Sequence, residues 1–260
     1  MQPIEWARTF CPVFYFTPDS ITYPVDIGFY CRHATLCNQK GETLLREGCV
    51  TPGVLLREGY NSATNYLQID PEVHTGQPVA LEHVPIYATV TDLGDELLLQ
   101  YYVIYTWNPG YEICGKHVGD HDFDLEHMSL YVNKAKRKLK RVYFSAHGAS
   151  QGLWCNPQDC TFDYNTNPPR LEVFVARGSH AHYPKPKTYW RIGCLANDTC
   201  RAGSSWSPFV ILMDDHTDWN VTDVGFNARY SRAPGKRGFY RHETGKSTSW
   251  FKRLCCCCCF

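Results

Sequence analysis

Hydrophobic and polar residues alternate along several short runs of this 260-residue chain, and turn-forming residues separate the runs. The clearest case is 79–107, VALEHVPIYATVTDLGDELLLQYYVIYTW, where two runs rich in Val, Ile, Leu, Thr and Tyr flank Asp92-Leu93-Gly94-Asp95. β-Branched and aromatic side chains suit a pleated, half-buried surface, and a polar quartet containing glycine between such runs has the composition of a tight hairpin turn. EHMSLYVNKAKRKLKRVYFSAH predicts a second hairpin, with strands at 126–132 and 141–147 joined by a basic loop, Lys134 to Arg141. RLEVFVARG (170–178) and PFVILMD (208–214) predict two further strands, each bounded by Gly or Pro. Many short strands between turns predict a mainly β protein, a β-sandwich of antiparallel strands with long loops and a few short helices. Residues 1–245 read as a single β-sandwich domain and 246–260 as a flexible basic, polycysteine tail.

Composition agrees with a folded domain: 43% of residues are hydrophobic, 20% charged and 14% aromatic. Lys plus Arg equals Asp plus Glu, so no global field favours nucleic acid, and none is expected as a partner. The opening stretch MQPIEWARTFCPVFYF lacks the basic start and apolar run of a secretory signal, which predicts a cytoplasmic protein. Asn197-Asp-Thr199 and Asn220-Val-Thr222 fit the glycosylation acceptor pattern and are discounted on that ground. Of the 14 cysteines, five form the run Cys255 to Cys259; the rest include the close pairs Cys31 and Cys37, Cys155 and Cys160, and Cys194 and Cys200. Without a secretion signal, reduced thiols are expected over disulfides.

The alternation leads to the chemistry. In the strand from Glu126 to Val132, Met128, Leu130 and Val132 share the apolar face, and Glu126 falls on that same face at the strand's mouth. A carboxylate beside a core has to be paired, protonated or bound to a metal. The segment before it, GKHVGDHDFDLEH (115–127), reads as a loop that packs acid and imidazole together, and a divalent cation is the most economical partner for it. Oxygen ligands favour Mg, Ca or Mn, and histidine favours Mn, Fe or Zn. Asp120-x-Asp122-x-Asp124 begins like a calcium loop, but Leu125 stands where glycine is required and Tyr131 where the closing glutamate belongs. No H-E-x-x-H and no G-x-S-x-G occurs. His147, just past one strand, and His180 and His182, just past another, are expected to converge on the acidic segment, because loops cluster at one end of a sandwich.

These segments resemble the vacuolar protein sorting-associated protein 62 family. The resemblance rests on CPVFYFTPDSITYPVDIGFY (11–30), on the motif at 115–127, on Ser145-Ala-His147 and on Gly178-Ser-His-Ala-His-Tyr-Pro184, in matching order. A looser similarity is to the heptapeptide of the necrosis- and ethylene-inducing toxins, which implies a β-sandwich that binds a divalent cation and acts on membrane lipids. His117-Val-Gly119 and Asp124-Leu-Glu-His127 look like the two halves of the family motif, with Asp120 to Phe123 inserted and Leu125 in place of tryptophan. The metal-ligand candidates are therefore His117, Asp120, Asp124, Glu126 and His127.

The tail KSTSWFKRLCCCCCF places Lys246, Lys252 and Arg253 before Cys255, Cys256, Cys257, Cys258 and Cys259, with Trp250, Phe251 and Leu254 interleaved. Acylation of those thiols, with nearby cations and aromatics, supplies the two or more signals that stable membrane anchoring requires. The expected function is a lipid-anchored, divalent-cation-binding β-sandwich on the cytoplasmic side, engaging anionic membrane lipids or trafficking machinery. In that reading the basic loop Lys134 to Arg141, with Trp250 and Phe251, forms a rim to the cation site. The alternative is a metal-dependent hydrolase with His147, His180 or His182 as general base.

Overall fold

The computed structural model describes residues 1–213 apart from 39, 59, 61–64, 78–80, 114–115, 119, 147–151 and 193–195. Residues 214–245 of the expected domain, the tail 246–260 with its cysteines, and His147 lie outside the described residues. The described part is mainly β, and two sheets face each other as a sandwich. The larger sheet is built from β5 (Pro85–Asp92), β6 (Glu96–Asn108), β9 (His121–Asn133), β10 (Lys138–Phe144), β11 (Leu153–Cys155) and β18 (Phe209–Leu212). Its order is β11-β10-β9-β6-β5-β18. The smaller sheet runs β12 (Thr161–Asp163), β13 (Arg170–Val175), β1 (Val13–Tyr15) and β17 (Ser205–Trp206), with β14 (His182–Tyr183) paired to β13.

The two hairpins expected at 79–107 and 126–147 are β5–β6 and β9–β10. Between the sheets lie Phe14, Val173 and Val175 from one side, and Leu99, Tyr101, Val103, Met128, Leu130 and Val132 from the other. Helix α1 (Pro3–Thr9), opened by Pro3, tucks Ala7 against this core, where the Tyr101 hydroxyl donates to the Ala7 carbonyl at 2.8 Å.

A second layer explains a local change of pattern. Helix α2 (Ile27–Arg32), the small sheet β3-β2-β4 (β2 Ala34–Asn38, β3 Thr43–Leu45, β4 Asn65–Ile69) and helix α3 (Pro52–Arg57) cover the outer face of one end of the large sheet. There Ile27, Tyr30, Leu36 and Leu67 pack on Tyr87, Ile104, Phe123 and Leu125. Strand β6 accordingly alternates between buried and half-buried positions up to Tyr102 and is then buried continuously from Val103 to Thr106. Two further hairpins, β7–β8 (Tyr111–Ile113, Lys116–Val118) and β15–β16 (Thr188–Ile192, Ala196–Thr199), stand beside the sandwich.

Two expectations change. Most of the described part of 115–127 is strand and not loop: β8 covers 116–118, and β9 begins at His121 and pairs with β6 from Asn108 onward. Its polar residues belong to a strand whose apolar side is turned toward the second layer, so polarity there marks a buried polar site. The strands are also not all antiparallel, since β1 runs parallel to β13 and β18 parallel to β5. Among the described residues Cys37, Cys155 and Cys160 are free thiols. No helix among the described residues is long and apolar enough to cross a membrane.

Candidate functional site

Strand β9 sets the site. Its even positions from Asp124 to Val132 face the sandwich interior and its odd positions Phe123 and Leu125 face the second layer, as a period of two requires. Asp124 and Glu126 therefore share one face, 0% and 3% exposed. Opposite them in register stand Tyr105 and Val103 of β6.

The segment GSHAHYP closes over this face as a tight turn, with Gly178 at φ 80° and His180 at φ 56°. The Ala176 amide donates to the Ala181 carbonyl at 2.9 Å and closes the turn. His180 Nδ1 donates to Asp124 Oδ2 at 2.8 Å, and Asn108 Nδ2 donates to the same oxygen at 2.9 Å. His121 Nε2 lies 3.5 Å from the other carboxylate oxygen. The second ring nitrogen of His180 bonds the Thr22 hydroxyl, and the ring lies flat on Tyr105, centroids 3.8 Å apart at an interplanar angle of 4°. Burial pushes the Asp124 carboxyl up, but the hydrogen bonds and charges of His121 and His180 outweigh it and hold the group below the usual carboxylate range. Burial, with the charges of Asp124 and Glu126, pushes the Tyr105 phenol well up, so it stays neutral.

Glu126 accepts from the Ser145 hydroxyl, and Ser145 Oγ in turn accepts from the His127 amide at 3.0 Å. The Ser145 carbonyl accepts from the His182 amide at 3.1 Å, so the end of β10 and the start of β14 meet beside β9. The His182 ring is 0% exposed and lies 5.4 Å from Phe14, and among the described residues neither nitrogen makes a hydrogen bond of ordinary geometry, the His127 backbone being only close by. Burial, offset in part by the His127 backbone, brings its pKa down to about 4.

A second carboxylate centre adjoins the first. Asp198, 0% exposed, accepts from Ser179 Oγ at 2.5 Å, from Tyr183 at 2.5 Å and from Tyr111 at 2.6 Å. Ser179 also offers its carbonyl to Asn108 Nδ2 at 3.4 Å. The motif thus divides its work: Ser179 and Tyr183 hold Asp198, and His180 between them holds Asp124.

Two residues with side chains beyond glycine are left-handed beside Asp124, namely Phe123 at φ 55° and His180 at φ 56°. Such conformations cost on the order of 1–3 kcal/mol each and persist only where the surroundings over-determine them. Phe123 is held by Tyr30, ring centroids 4.8 Å apart, and His180 by Asp124, Thr22 and Tyr105.

The candidate residues separate into three sets. Asp124, Glu126, His180 and His182 are brought together. His127 is turned to the opposite face of the sheet, against Tyr102 and Tyr143 at 5.9 and 5.7 Å, since neighbouring strand residues point opposite ways. Asp120 sits partly buried one residue before β9, the His117 side chain is outside the described residues although its backbone lies in β8, and His147 is outside them altogether. Among the described residues no group of three or more His, Cys, Asp or Glu is arranged to hold a metal ion.

The basic loop is not a rim to this site. It lies at the other end of β9, nine residues and about 30 Å from Asp124 at the rise of a strand. Part of its charge is also spent: Lys134 pairs with Asp92 at 2.9 Å, Lys140 with Glu96, and Arg141 stacks on Tyr131 and Trp154. Trp250 and Phe251 lie outside the described residues.

Sequence reasoning missed Thr22, Tyr105, Asn108, Tyr111 and Asp198. Ser179 and Tyr183 lie inside GSHAHYP, where the histidines alone carry an evident chemical signal. Asp198 sits in Asn197-Asp-Thr199, where the pattern suggested only a glycosylation acceptor.

Residues 104–222 match the family model described as vacuolar protein sorting-associated protein 62. The match takes in 115–127, Ser145-Ala-His147 and GSHAHYP, and leaves 11–30 outside. No curated protein matches the chain. Solved structures of similar chain path include necrosis and ethylene inducing protein 2 from the causal agent of cocoa's witches' broom disease, at 12% identity and TM-score 0.44, covering 84% of this chain and 79% of that one. A structure described as a toxin fold for microbial attack and plant defense aligns at 12% identity and TM-score 0.45 over 86% and 81%. NLPPya in complex with mannosamine aligns at 13% identity and TM-score 0.42 over 85% and 76%.

Proposed function

We propose that the protein is a lipid-anchored β-sandwich that binds a divalent cation at the Asp124 and Glu126 face and engages membranes or trafficking machinery. The observation that carries this reading is the pair of buried carboxylates on one face of β9, whose described partners are hydroxyl, amide and imidazole groups, flanked by two strained residues. Carboxylate oxygens suit a hard cation such as Mg, Ca or Mn, and an imidazole ligand extends the set to Zn. The described residues bring two such donors together, so further ligands have to come from Asp120, from His117 or from His147. A bound cation would neutralise the buried acid and offer a coordination position to a phosphate or carboxylate of a headgroup or partner. This chain's residues supply the rest: His180 and Asn108 fix the Asp124 carboxylate, and Ser145 orients Glu126.

Binding is preferred over hydrolysis because hydrolysis needs a base with an accessible lone pair. His180 spends both ring nitrogens and His182 is sealed from solvent.

The test is elemental analysis with calorimetric titration of Mg, Ca, Mn and Zn, on wild type and on Asp124→Asn with Glu126→Gln. Stoichiometric binding lost in the variant is expected; wild type that binds no divalent ion sinks the cation reading. The anchor is tested separately by replacing Cys255 to Cys259 with serine, which is expected to shift the protein from the membrane fraction to the soluble one. Full retention on membranes would remove the anchor.

A further inference from the structure

At the end of the sandwich remote from Asp124 lies a cavity of about 250 Å³. Its floor is apolar: Phe10 from the end of α1, Leu130 and Leu139 from β9 and β10, and Leu171 from β13. Its rim carries Tyr164, 78% exposed, and two cations, Arg137 and Lys138, from the tip of the β9–β10 hairpin. The volume is a little under the range of about 300–1,000 Å³ usual for ligand pockets, so it fits a small ligand or one end of a longer chain.

The two cations differ from their neighbours at the same tip. Lys134 and Lys140 are neutralised by Asp92 and Glu96, whereas among the described residues neither Arg137 nor Lys138 makes an ion pair. Arg137 also holds a backbone conformation, φ 49°, that glycine or asparagine adopts far more readily. Its guanidinium leans over Trp6, 5.9 Å from the ring centroid, with Trp6 in turn stacked on Phe10 of the cavity floor. An ordinary solvated hairpin tip needs neither arginine at the left-handed position nor an aromatic rest for it. An apolar floor under unpaired cations is complementary to one kind of guest, an apolar chain ending in an anion.

We infer that this cavity binds an acyl chain with an anionic terminus, its methylenes against Phe10, Leu130 and Leu171 and its head group against Arg137 and Lys138. The chemistry is shared by a free fatty acid and by a chain of an anionic membrane lipid. The inference does not rest on the cation reading, because no residue of the acidic centre takes part.

The experiment is calorimetric titration of the full chain with decanoate and with decanol, below their aggregation concentrations and in the presence of a chelator. The chelator removes any dependence on bound cations, so failure of the cation reading leaves this result untouched. Wild type is expected to bind decanoate one to one. Arg137→Gly with Lys138→Gln, exposed changes of which the first relaxes the backbone, are expected to weaken decanoate about fivefold while leaving decanol unchanged, the size of two rim charges. Leu139→Trp, which fills the cavity, is expected to abolish both. The inference is overturned if wild type binds no decanoate, if the charge variant weakens acid and alcohol alike or neither, or if folded Leu139→Trp binds as wild type does. Sedimentation with vesicles of phosphatidylcholine and phosphatidic acid then names the source. Release of the protein by saturating decanoate assigns a membrane lipid's chain, and no competition assigns the soluble acid.

Discussion

His180 hydrogen-bonds Asp124 at 2.8 Å from a backbone conformation that histidine seldom adopts, and its ring lies on Tyr105 at 3.8 Å. The contact joins the tip of one turn to the middle of the large sheet and fixes the orientation of a fully buried carboxylate. Removing the imidazole leaves that charge with Asn108 and His121 as its described neighbours. A hydrogen bond to a buried charged group is worth roughly 1.5–3 kcal/mol. His180→Ala is therefore expected to lower stability by about 1.5–3 kcal/mol, measured as a shift of the urea midpoint at pH 7. His180→Asn, which tolerates the left-handed backbone, is expected to lose less. A midpoint unchanged in His180→Ala would mean that the pair contributes nothing to the fold.

The buried His182 makes stability sensitive to acid. Its folded pKa, about 4, is below the ordinary value of 6.5, so between those values the unfolded chain takes up a proton that the folded chain refuses. Stability from this group is complete above pH 6.5 and is lost as pH falls toward 4, by about 3 kcal/mol over the window. Asp124 acts lower on the scale with the same sign: its depressed carboxyl stabilises the fold fully above its ordinary value of 3.8, and that contribution is lost progressively as pH falls from there through the lower folded value. His182→Phe, which keeps the contact with Phe14 and removes the titrating ring, is expected to flatten denaturant midpoints between pH 7 and pH 4.5. An equally steep loss in the variant would assign the acid sensitivity elsewhere.

The sandwich was legible because both long hairpins obey the rule that alternating side chains face opposite ways, and turn residues punctuate them. The start of β9 was misjudged for a physical reason. The segment does alternate, with Phe123 and Leu125 under one layer and Asp124 and Glu126 under the other, but its polar side is buried as well, and a run of acids is the opposite of what a buried side usually carries, so acid density points to a loop. The convergence of His180 on Asp124 was legible from strand ends alone. The orientation of His127 followed from the same alternation that placed Glu126, whereas the distance of the basic loop required the length of the paired strand. Asp198 was hidden because its described hydroxyl donors come from Tyr111, Ser179 and Tyr183, which no local spacing connects.

Asp198 is expected to be the more fragile of the two acid centres. Three hydroxyls donate to one buried carboxylate, and each such charge-assisted bond is worth about 1.5–3 kcal/mol. Asp198→Asn keeps the shape but replaces one acceptor oxygen by a donor facing hydroxyl groups, and about 3 kcal/mol of stability is expected to go. Tyr183→Phe removes one bond and is expected to cost about 2 kcal/mol. Because Ser179 also anchors the turn that carries His180, the double variant His180→Ala with Asp198→Asn is expected to lose less than the two single losses added. Strict additivity in denaturant unfolding would show the centres to be independent.

Cys155 and Cys160 are neighbours at the edge of the large sheet, and their thiols are driven apart in acidity. A hydrogen bond from Cys160 lowers the Cys155 pKa, whereas the same bond, together with burial, pushes the Cys160 thiol up. The thiolate is the reactive form, so alkylation follows the pKa as well as access. Brief treatment with iodoacetamide at neutral pH is expected to label Cys155 well ahead of Cys160, with Cys11 unlabelled, since burial pushes its pKa up to about 12. Peptide mass spectrometry at several reaction times reads the order directly. In Cys160→Ala the lowering partner is gone, and labelling of Cys155 is expected to slow at neutral pH even though its access increases. Faster labelling would mean that access, and not the hydrogen bond from Cys160, governs the reactivity of Cys155.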